Sequence, residues 1–102
     1  MASPSDSAAV VDVSRYYARP GQGEALLDAM RRVASKASAA EGCFGAQVCQ
    51  SDQDGEALVA ISRWASASAM EAFANSSAFV EEREHFASLL ARPAQREHLR
   101  PV

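Results

Sequence analysis

The side chains in this sequence that are best suited to chemistry fall at alternate positions of two segments rich in β-branched and aromatic residues. Five polar or aromatic residues share this pattern: Asp12, Ser14, Tyr16, Ser62 and Trp64. An indole N–H donates hydrogen bonds and its ring stacks on flat molecules, while phenol and serine hydroxyls add donors. A carboxylate such as Asp12 can act as a general base. Because side chains alternate between the two faces of a strand, these residues are expected to share one side of a sheet.

The strands that must position these groups are predicted from the same composition. The first strand spans residues 9–18, and residues 43–50 and 57–64 form two more, joined by a loop with an Asp-Gly turn signal. Residues 95–100 form a last strand that is weak by propensity.

Apolar residues at helical spacing predict a helix from Glu24 to about Ala40, ended by Gly42 in a left-handed conformation. After Trp64, either Ser66 or Ser68 can cap a short helix that runs to about residue 75. A second helical piece begins at residues 76–77 and stops at residues 92–93, Arg-Pro.

The order β-α-β-β-α-β is the ferredoxin-like pattern, an α+β fold in which a four-stranded antiparallel sheet carries its helices on one face. Its first and third strands are central neighbours, so four apolar β-branched residues should share a second face, the valine face: Val11, Val13, Val59 and Ile61. We expect this face to join two copies of the chain in a homodimer. The alternative is a monomer with the valine face under the helices.

If the mixed polar and aromatic face lies under the helices, its small residues leave a cavity beneath large helical side chains. The helical residues expected to bind a small ligand there are Met30, Phe73, Phe79 and Phe86. Ser62 is expected to bind the ligand from the sheet. The more conservative interpretations are that Trp64 fills the core and that Asp12 pairs with an arginine.

Composition limits the classes of function. The chain has 102 residues, a net charge of -3 and no long apolar run, which argues against nucleic-acid and membrane partners. Residues 1–8 are predicted to be a disordered tail before one domain at 9–102. Nine of ten basic residues are arginine, a bias typical of GC-rich bacteria. Cys43 and Cys49 fit neither a redox motif nor a zinc site, so we expect buried thiols, no metal and a cytoplasmic location.

Three segments, in order, resemble the antibiotic biosynthesis monooxygenase family. They are Tyr-Ala-Arg-Pro-Gly at 17–21, Ala-Glu-Gly-Cys at 40–43 and Ser-Arg-Trp-Ala-Ser-Ala-Ser-Ala-Met-Glu at 62–71. The resemblance runs over nearly all of residues 9–102. It implies a dimeric α+β barrel made of two ferredoxin-like protomers packed sheet to sheet.

The family includes oxygenases that form quinones without metal or flavin, as well as haem-degrading enzymes. In both branches a tryptophan at the end of strand three lines the pocket, and Trp64 matches it. The asparagine that often lies on strand one is replaced by Ser14 here. The histidine that ligates haem iron is missing, because Phe73 or a neighbour falls at its position.

The resemblance therefore implies a monooxygenase that oxidises an electron-rich aromatic compound of anthrone, phenol or hydroquinone type to a quinone. It would use no cofactor, with molecular oxygen as co-substrate. From the chemistry of their side chains, Trp64, Ser14, Tyr16 and Asp12 are the expected catalytic residues. The alternatives are a non-catalytic dimeric domain that binds a small ligand, and a haem-degrading member of the family.

Overall fold

The computed structural model describes residues 8–102, so the predicted tail lies outside the described residues except for Ala8. Four strands form one sheet: β1 Val10–Tyr17, β2 Cys43–Gln50, β3 Ala57–Trp64 and β4 Gln95–Leu99. Three helices accompany it: α1 Gly23–Ser38, α2 Ala67–Ala74 and α3 Ser77–Leu89. The strand order is β2-β3-β1-β4 with every neighbour antiparallel, which confirms the ferredoxin-like prediction.

The second helical region is divided in two, as predicted, and a serine precedes each piece. The Ser66 side chain accepts a hydrogen bond of 3.1 Å from the Ala69 backbone N–H, so α2 begins at Ala67. Of the two predicted caps, Ser66 is therefore the one used. Ser76 occupies the N-cap position of α3, as the sequence predicted.

The link between α1 and β2 differs from the prediction. The helix ends at Ser38, about two residues early, and Ala39 is its C-cap in right-handed geometry. Gly42 has the expected positive φ of 81°, but it lies in the turn beyond the cap. The Gly42 carbonyl accepts a hydrogen bond of 2.7 Å from the Ala65 backbone N–H, which ties this turn to the start of the α2 region.

Two apolar clusters lie between the helices and the sheet. The larger consists of Tyr16, Leu26, Ala29, Met30, Phe86 and Leu89, and joins β1, α1 and α3. The smaller consists of Ala37, Trp64 and Met70, and joins α1, β3 and α2. Cys43 and Cys49 are both free and only partly buried, less so than expected.

An ion-pair network ties α1 to α3. The Arg32 Nε and Nη2 groups donate to the Glu82 carboxylate at 3.2 and 3.3 Å, and Lys36 Nζ lies 3.5 Å from the same group. The hydrogen bond from Arg32 holds the pKa of Glu82 below its usual value of 4.5, and the positive charges of Arg32 and Lys36 act in the same direction.

Because the pKa of Glu82 is lowered by folding, its stabilising contribution should be complete above pH 4.5 and lost as the pH falls through the folded-state value. The substitution Glu82→Gln is expected to lower the free energy of unfolding slightly at pH 7 and by a smaller amount at pH 3. Urea unfolding followed by circular dichroism at both pH values measures this, with Glu81→Gln on the exposed side of α3 as control. An equal loss at both pH values would contradict the charge-based explanation.

Candidate active site

The register of the sheet brings polar side chains into two adjacent rows on its helix-facing side. Asp12 lies opposite Ser62 of β3 and opposite His98 of β4. In the next row, Ser14 lies opposite Arg96 of β4 and a small residue of β3. Chemistry-bearing groups from three strands therefore meet on one side of the sheet, although they are far apart in the sequence.

A cavity of about 260 Å³ lies above these rows, between the two apolar clusters. All nine residues that the sequence nominated line it: Asp12, Ser14, Tyr16, Met30, Ser62, Trp64, Phe73, Phe79 and Phe86. Small side chains such as Ala34 and Ala60 face the large ones across the gap, and this mismatch in volume leaves the space open. The mixed face therefore lies under the helices, so the alternative that placed the valine face there is wrong.

One end of the cavity is built around Trp64, whose side chain is only 1% exposed. Its ring lies 5.7 Å from the Phe73 ring, centroid to centroid, at a tilt of 32°. The indole Nε1–H donates a hydrogen bond of 2.8 Å to Ser62 Oγ. The indole N–H that was expected to donate to a ligand therefore already donates to Ser62. The Ser62 hydroxyl, accepting from the indole, keeps its own proton to donate.

The other end is lined by the large cluster. The Tyr16 and Phe86 rings lie 5.6 Å apart at a tilt of 33°. Phe79 completes the wall between the ends, with its ring edge-on to Phe73 at 5.8 Å. Rings on both sides of the space suit a flat apolar ligand, since aromatic rings prefer offset or edge-to-face contacts at these distances.

The polar side of the cavity is a cluster of Asp12, Arg96 and His98. Asp12 Oδ1 lies 3.4 Å from His98 Nε2 and 3.7 Å from Arg96 Nε. Arg96 Nε donates a hydrogen bond of 3.2 Å to Ser14 Oγ. Asp12 Oδ1 is buried and accepts no hydrogen bond from any other described residue, which is unusual for a buried carboxylate oxygen.

Arg96 and His98 are the functional candidates that the sequence reasoning missed. Both lie on β4, whose propensity is weak and whose five residues are exposed. The feature that could have identified them is the pairing of β4 with β1, because it places the even-numbered residues of β4 on the helix-facing side of the sheet. The conservative interpretation of Asp12, a pairing with an arginine, agrees with its position beside Arg96.

The remaining ligand-type residues are scattered. Phe73 lines the cavity. His85 is exposed on α3. No three His, Cys, Asp or Glu side chains within residues 8–102 are close enough together to hold a metal ion. Among the same residues, no helix is both long and apolar enough to cross a membrane.

The valine face lies on the side of the sheet away from the helices. Val13 is paired with Ile61 on β3 and with Glu97 on β4, and Val59 is paired with Arg15. Of the four residues that define the face, three are partly exposed and Val59 is 9% exposed. Leu99, at 44% exposure, extends the apolar surface on β4, opposite Val11.

Together these features define a ferredoxin-like α+β domain with an aromatic-walled cavity between its sheet and its helices. The chain belongs to the antibiotic biosynthesis monooxygenase family, whose sequence model matches residues 9–85. A comparison with curated proteins gives no match.

Solved structures share the fold over most of their length. Rv0793 from Mycobacterium tuberculosis is 26% identical with a TM-score of 0.85, over 91% of this chain and 94% of that one. PA3566 from Pseudomonas aeruginosa is 23% identical with a TM-score of 0.83, over 94% and 96%. A conserved protein from Methanosarcina mazei is 16% identical with a TM-score of 0.88, over 96% and 97%. The last two matches, at 23% and 16% identity, show only that the fold is shared.

Proposed function

We propose that the protein is an oxygenase that converts an electron-rich aromatic compound of anthrone, phenol or hydroquinone type to a quinone, with molecular oxygen as co-substrate and no cofactor. The observation that carries this proposal is the cavity itself, whose aromatic walls enclose one polar row containing Asp12 and Ser62. Such a space can orient a flat ring system, exclude water and place hydrogen-bonding groups on one edge of it.

The proposed reaction needs two groups from the protein, a base and a hydrogen-bond donor. Asp12 Oδ1 accepts a proton from the substrate, and the resulting anion gives one electron to oxygen. The two radicals combine as a peroxide at the reacting carbon. Loss of water from the peroxide leaves a carbonyl, so one oxygen atom enters the quinone and the other leaves as water. For an anthrone, the reacting CH2 carbon loses both hydrogens, and both leave in the water, one of them by way of Asp12.

Ser62 is the proposed donor to the oxyanion that develops on the substrate. Its hydroxyl accepts from Trp64 Nε1 at 2.8 Å, and this contact orients the remaining proton. Trp64 would therefore act in two ways, as a ring that stacks on the substrate and as a group that positions Ser62. Ser14 lies in the adjacent row and Tyr16 lies beyond it on β1, and both would fix the orientation of the ring system.

The substitution Trp64→Phe removes the indole N–H and keeps most of the aromatic surface. We expect it to slow oxygen uptake roughly ten-fold or more, because the oriented donor is lost from the transition state. The assay is an oxygen electrode with metal-stripped protein and 1,8-dihydroxyanthrone, with the uncatalysed rate subtracted. Tyr17→Phe is the matched control, since it loses a hydrogen bond to Asp54 on the opposite side of the sheet. Oxygen uptake that never exceeds the uncatalysed rate with any polyphenol would refute the oxygenase.

A non-catalytic domain that binds a small aromatic ligand is the second candidate. It is favoured by Ser14 and Phe73, which stand where family members carry asparagine and histidine. The Ser14 hydroxyl already accepts a hydrogen bond from Arg96. This candidate predicts saturable binding of the anthrone without consumption of oxygen, so the electrode and a titration separate the two.

We also propose that two copies of the chain associate through the valine face, as members of this family are typically dimeric. The support is an apolar sheet surface that Leu99 extends and that no element within residues 8–102 covers. The two free cysteines agree with the predicted cytoplasmic location, which stays a prediction.

A further inference from the structure

The polar side of the cavity carries a basic group that the proposed reaction does not use. Arg96 lines the main cavity and also a second one of about 300 Å³ between α3 and β4. Within the described chain, the second cavity is lined by Arg83 and Arg96 together with apolar and aromatic residues, and by no acidic residue. Two guanidinium groups thus lie near the junction of the two cavities, and that of Arg96 has Asp12 as its ion-pair partner.

The ring of Phe79 marks this meeting point. The guanidinium carbon of Arg83 lies 5.3 Å from the ring centroid, and that of Arg96 lies 5.8 Å from it. Arg83 is held by a hydrogen bond of 2.8 Å from Nη2 to the Ala74 carbonyl, so its guanidinium is partly used.

The guanidinium of Arg96 has hydrogen-bond donors that no described residue uses. Only its Nε takes part in a hydrogen bond within residues 8–102, to Ser14 Oγ, and the same atom is the one nearest Asp12. The two Nη groups, with four N–H bonds, form no hydrogen bond in that range. A planar guanidinium with free Nη groups matches a carboxylate, whose two oxygens can accept two parallel hydrogen bonds.

Asp12 supplies the complementary acceptor. Its buried Oδ1 lacks a hydrogen bond, so a ligand hydroxyl that donates to it would satisfy a carboxylate oxygen that is otherwise costly to bury. Because this oxygen lies 3.7 Å from Arg96 Nε, the hydroxyl and the anionic group of one ligand would occupy neighbouring positions on its ring.

We propose that Arg96 determines specificity by binding a carboxylate on the ligand, so that the substrate class is an aromatic acid with a hydroxyl group beside the carboxylate. The ring system lies between Trp64 and Tyr16 in the main cavity. The carboxylate lies at the junction with the second cavity, on the Nη groups of Arg96. This proposal rests on the proposed function, which supplies the aromatic character of the ligand, and it adds a carboxylate to that ligand.

The test compares two probes of nearly the same shape, 3-hydroxy-2-naphthoate and 3-hydroxy-2-naphthamide, by titration calorimetry under anaerobic conditions. The amide lacks the negative charge and carries an NH2 donor where the carboxylate has its second acceptor oxygen. The wild-type protein is expected to bind the carboxylate roughly ten-fold more tightly than the amide or better, as suits a charge-assisted pair. Arg96→Gln is expected to bind both equally. Arg31→Gln, which removes an exposed charge on α1 outside both cavities, is expected to keep the preference.

Equal affinities of the wild-type protein for the two probes would overturn the proposal, and so would a preference that persists in folded Arg96→Gln. If circular dichroism shows that Arg96→Gln does not fold, Arg96→Lys decides, because it keeps the charge and loses the planar pair of donors. A reduced preference in that variant supports the proposal, and an undiminished one overturns it.

The result is separable from that of the oxygen assay. A carboxylate preference that depends on Arg96, without any oxygen uptake, would refute the oxygenase and leave the anion site standing. Oxidation of neutral phenols, without any preference between the two probes, would support the oxygenase and overturn the anion site.

Discussion

The substitution Val13→Lys is expected to convert the protein from a dimer into monomers. In the proposed dimer each copy would bury a lysine against the apolar face of the other, and taking an ammonium group out of water costs several kcal/mol even beside a carboxylate. We expect the dissociation constant to rise roughly 100-fold or more. Sedimentation equilibrium measures it, with the wild type expected at twice the 10.8 kDa of one chain.

Position 13 is chosen so that the monomer can accept the change. Val13 lies directly opposite Glu97 on β4, and a lysine and a glutamate at such positions attract each other across the strands. The control is Val80→Lys, the same change at a residue of α3 that is 44% exposed. A wild-type protein that sediments as a monomer, or a Val13→Lys variant that stays dimeric, would contradict the use of this face.

The substitution Gly42→Ala is expected to lower the free energy of unfolding by about 2–5 kcal/mol. Two costs add. A non-glycine residue at a φ of 81° is strained by about 1–2 kcal/mol. The new Cβ would also lie 2.7 Å from the Ala69 Cβ, and overpacking of this kind costs about 1–3 kcal/mol. Urea unfolding followed by circular dichroism measures the sum.

Gly21 separates the two costs. It has nearly the same φ, 80°, but no atom within 4 Å of the position that its Cβ would take. Gly21→Ala should therefore lower the free energy of unfolding by the backbone strain alone, about 1–2 kcal/mol. Adding Ala69→Gly to Gly42→Ala should remove part of the steric cost between the two Cβ atoms, as a double-mutant cycle would show. Equal losses for the two glycines would mean that the contact between the α1–β2 turn and α2 is looser than described.

The candidate site was largely predictable because strand parity is a local property. The alternation of Asp12, Ser14 and Tyr16 with valines assigns those residues to one face whatever the rest of the chain does. The helical residues followed from the same logic, since Met30 and Phe86 lie on apolar stripes that must face the sheet. The excess of small residues on that face predicted the cavity.

The contribution of β4 could not be predicted in the same way. The hydrogen bond between Arg96 and Ser14 joins residues 82 positions apart, and it depends on the register in which β4 pairs with β1. Nothing in a short polar strand specifies that register locally. The use of the Trp64 indole by Ser62 was likewise a matter of side-chain geometry that spacing alone leaves open.

The sequence by itself determined the family, the order of the elements and the face on which each central residue lies, because periodicity and turn chemistry act over a few residues. Only the tertiary structure decided which face the helices cover and which charges meet in the cavity. The reason is physical: Asp12, Arg96 and His98 come together through pairing between distant strands, and that pairing is determined by the packing of the whole domain.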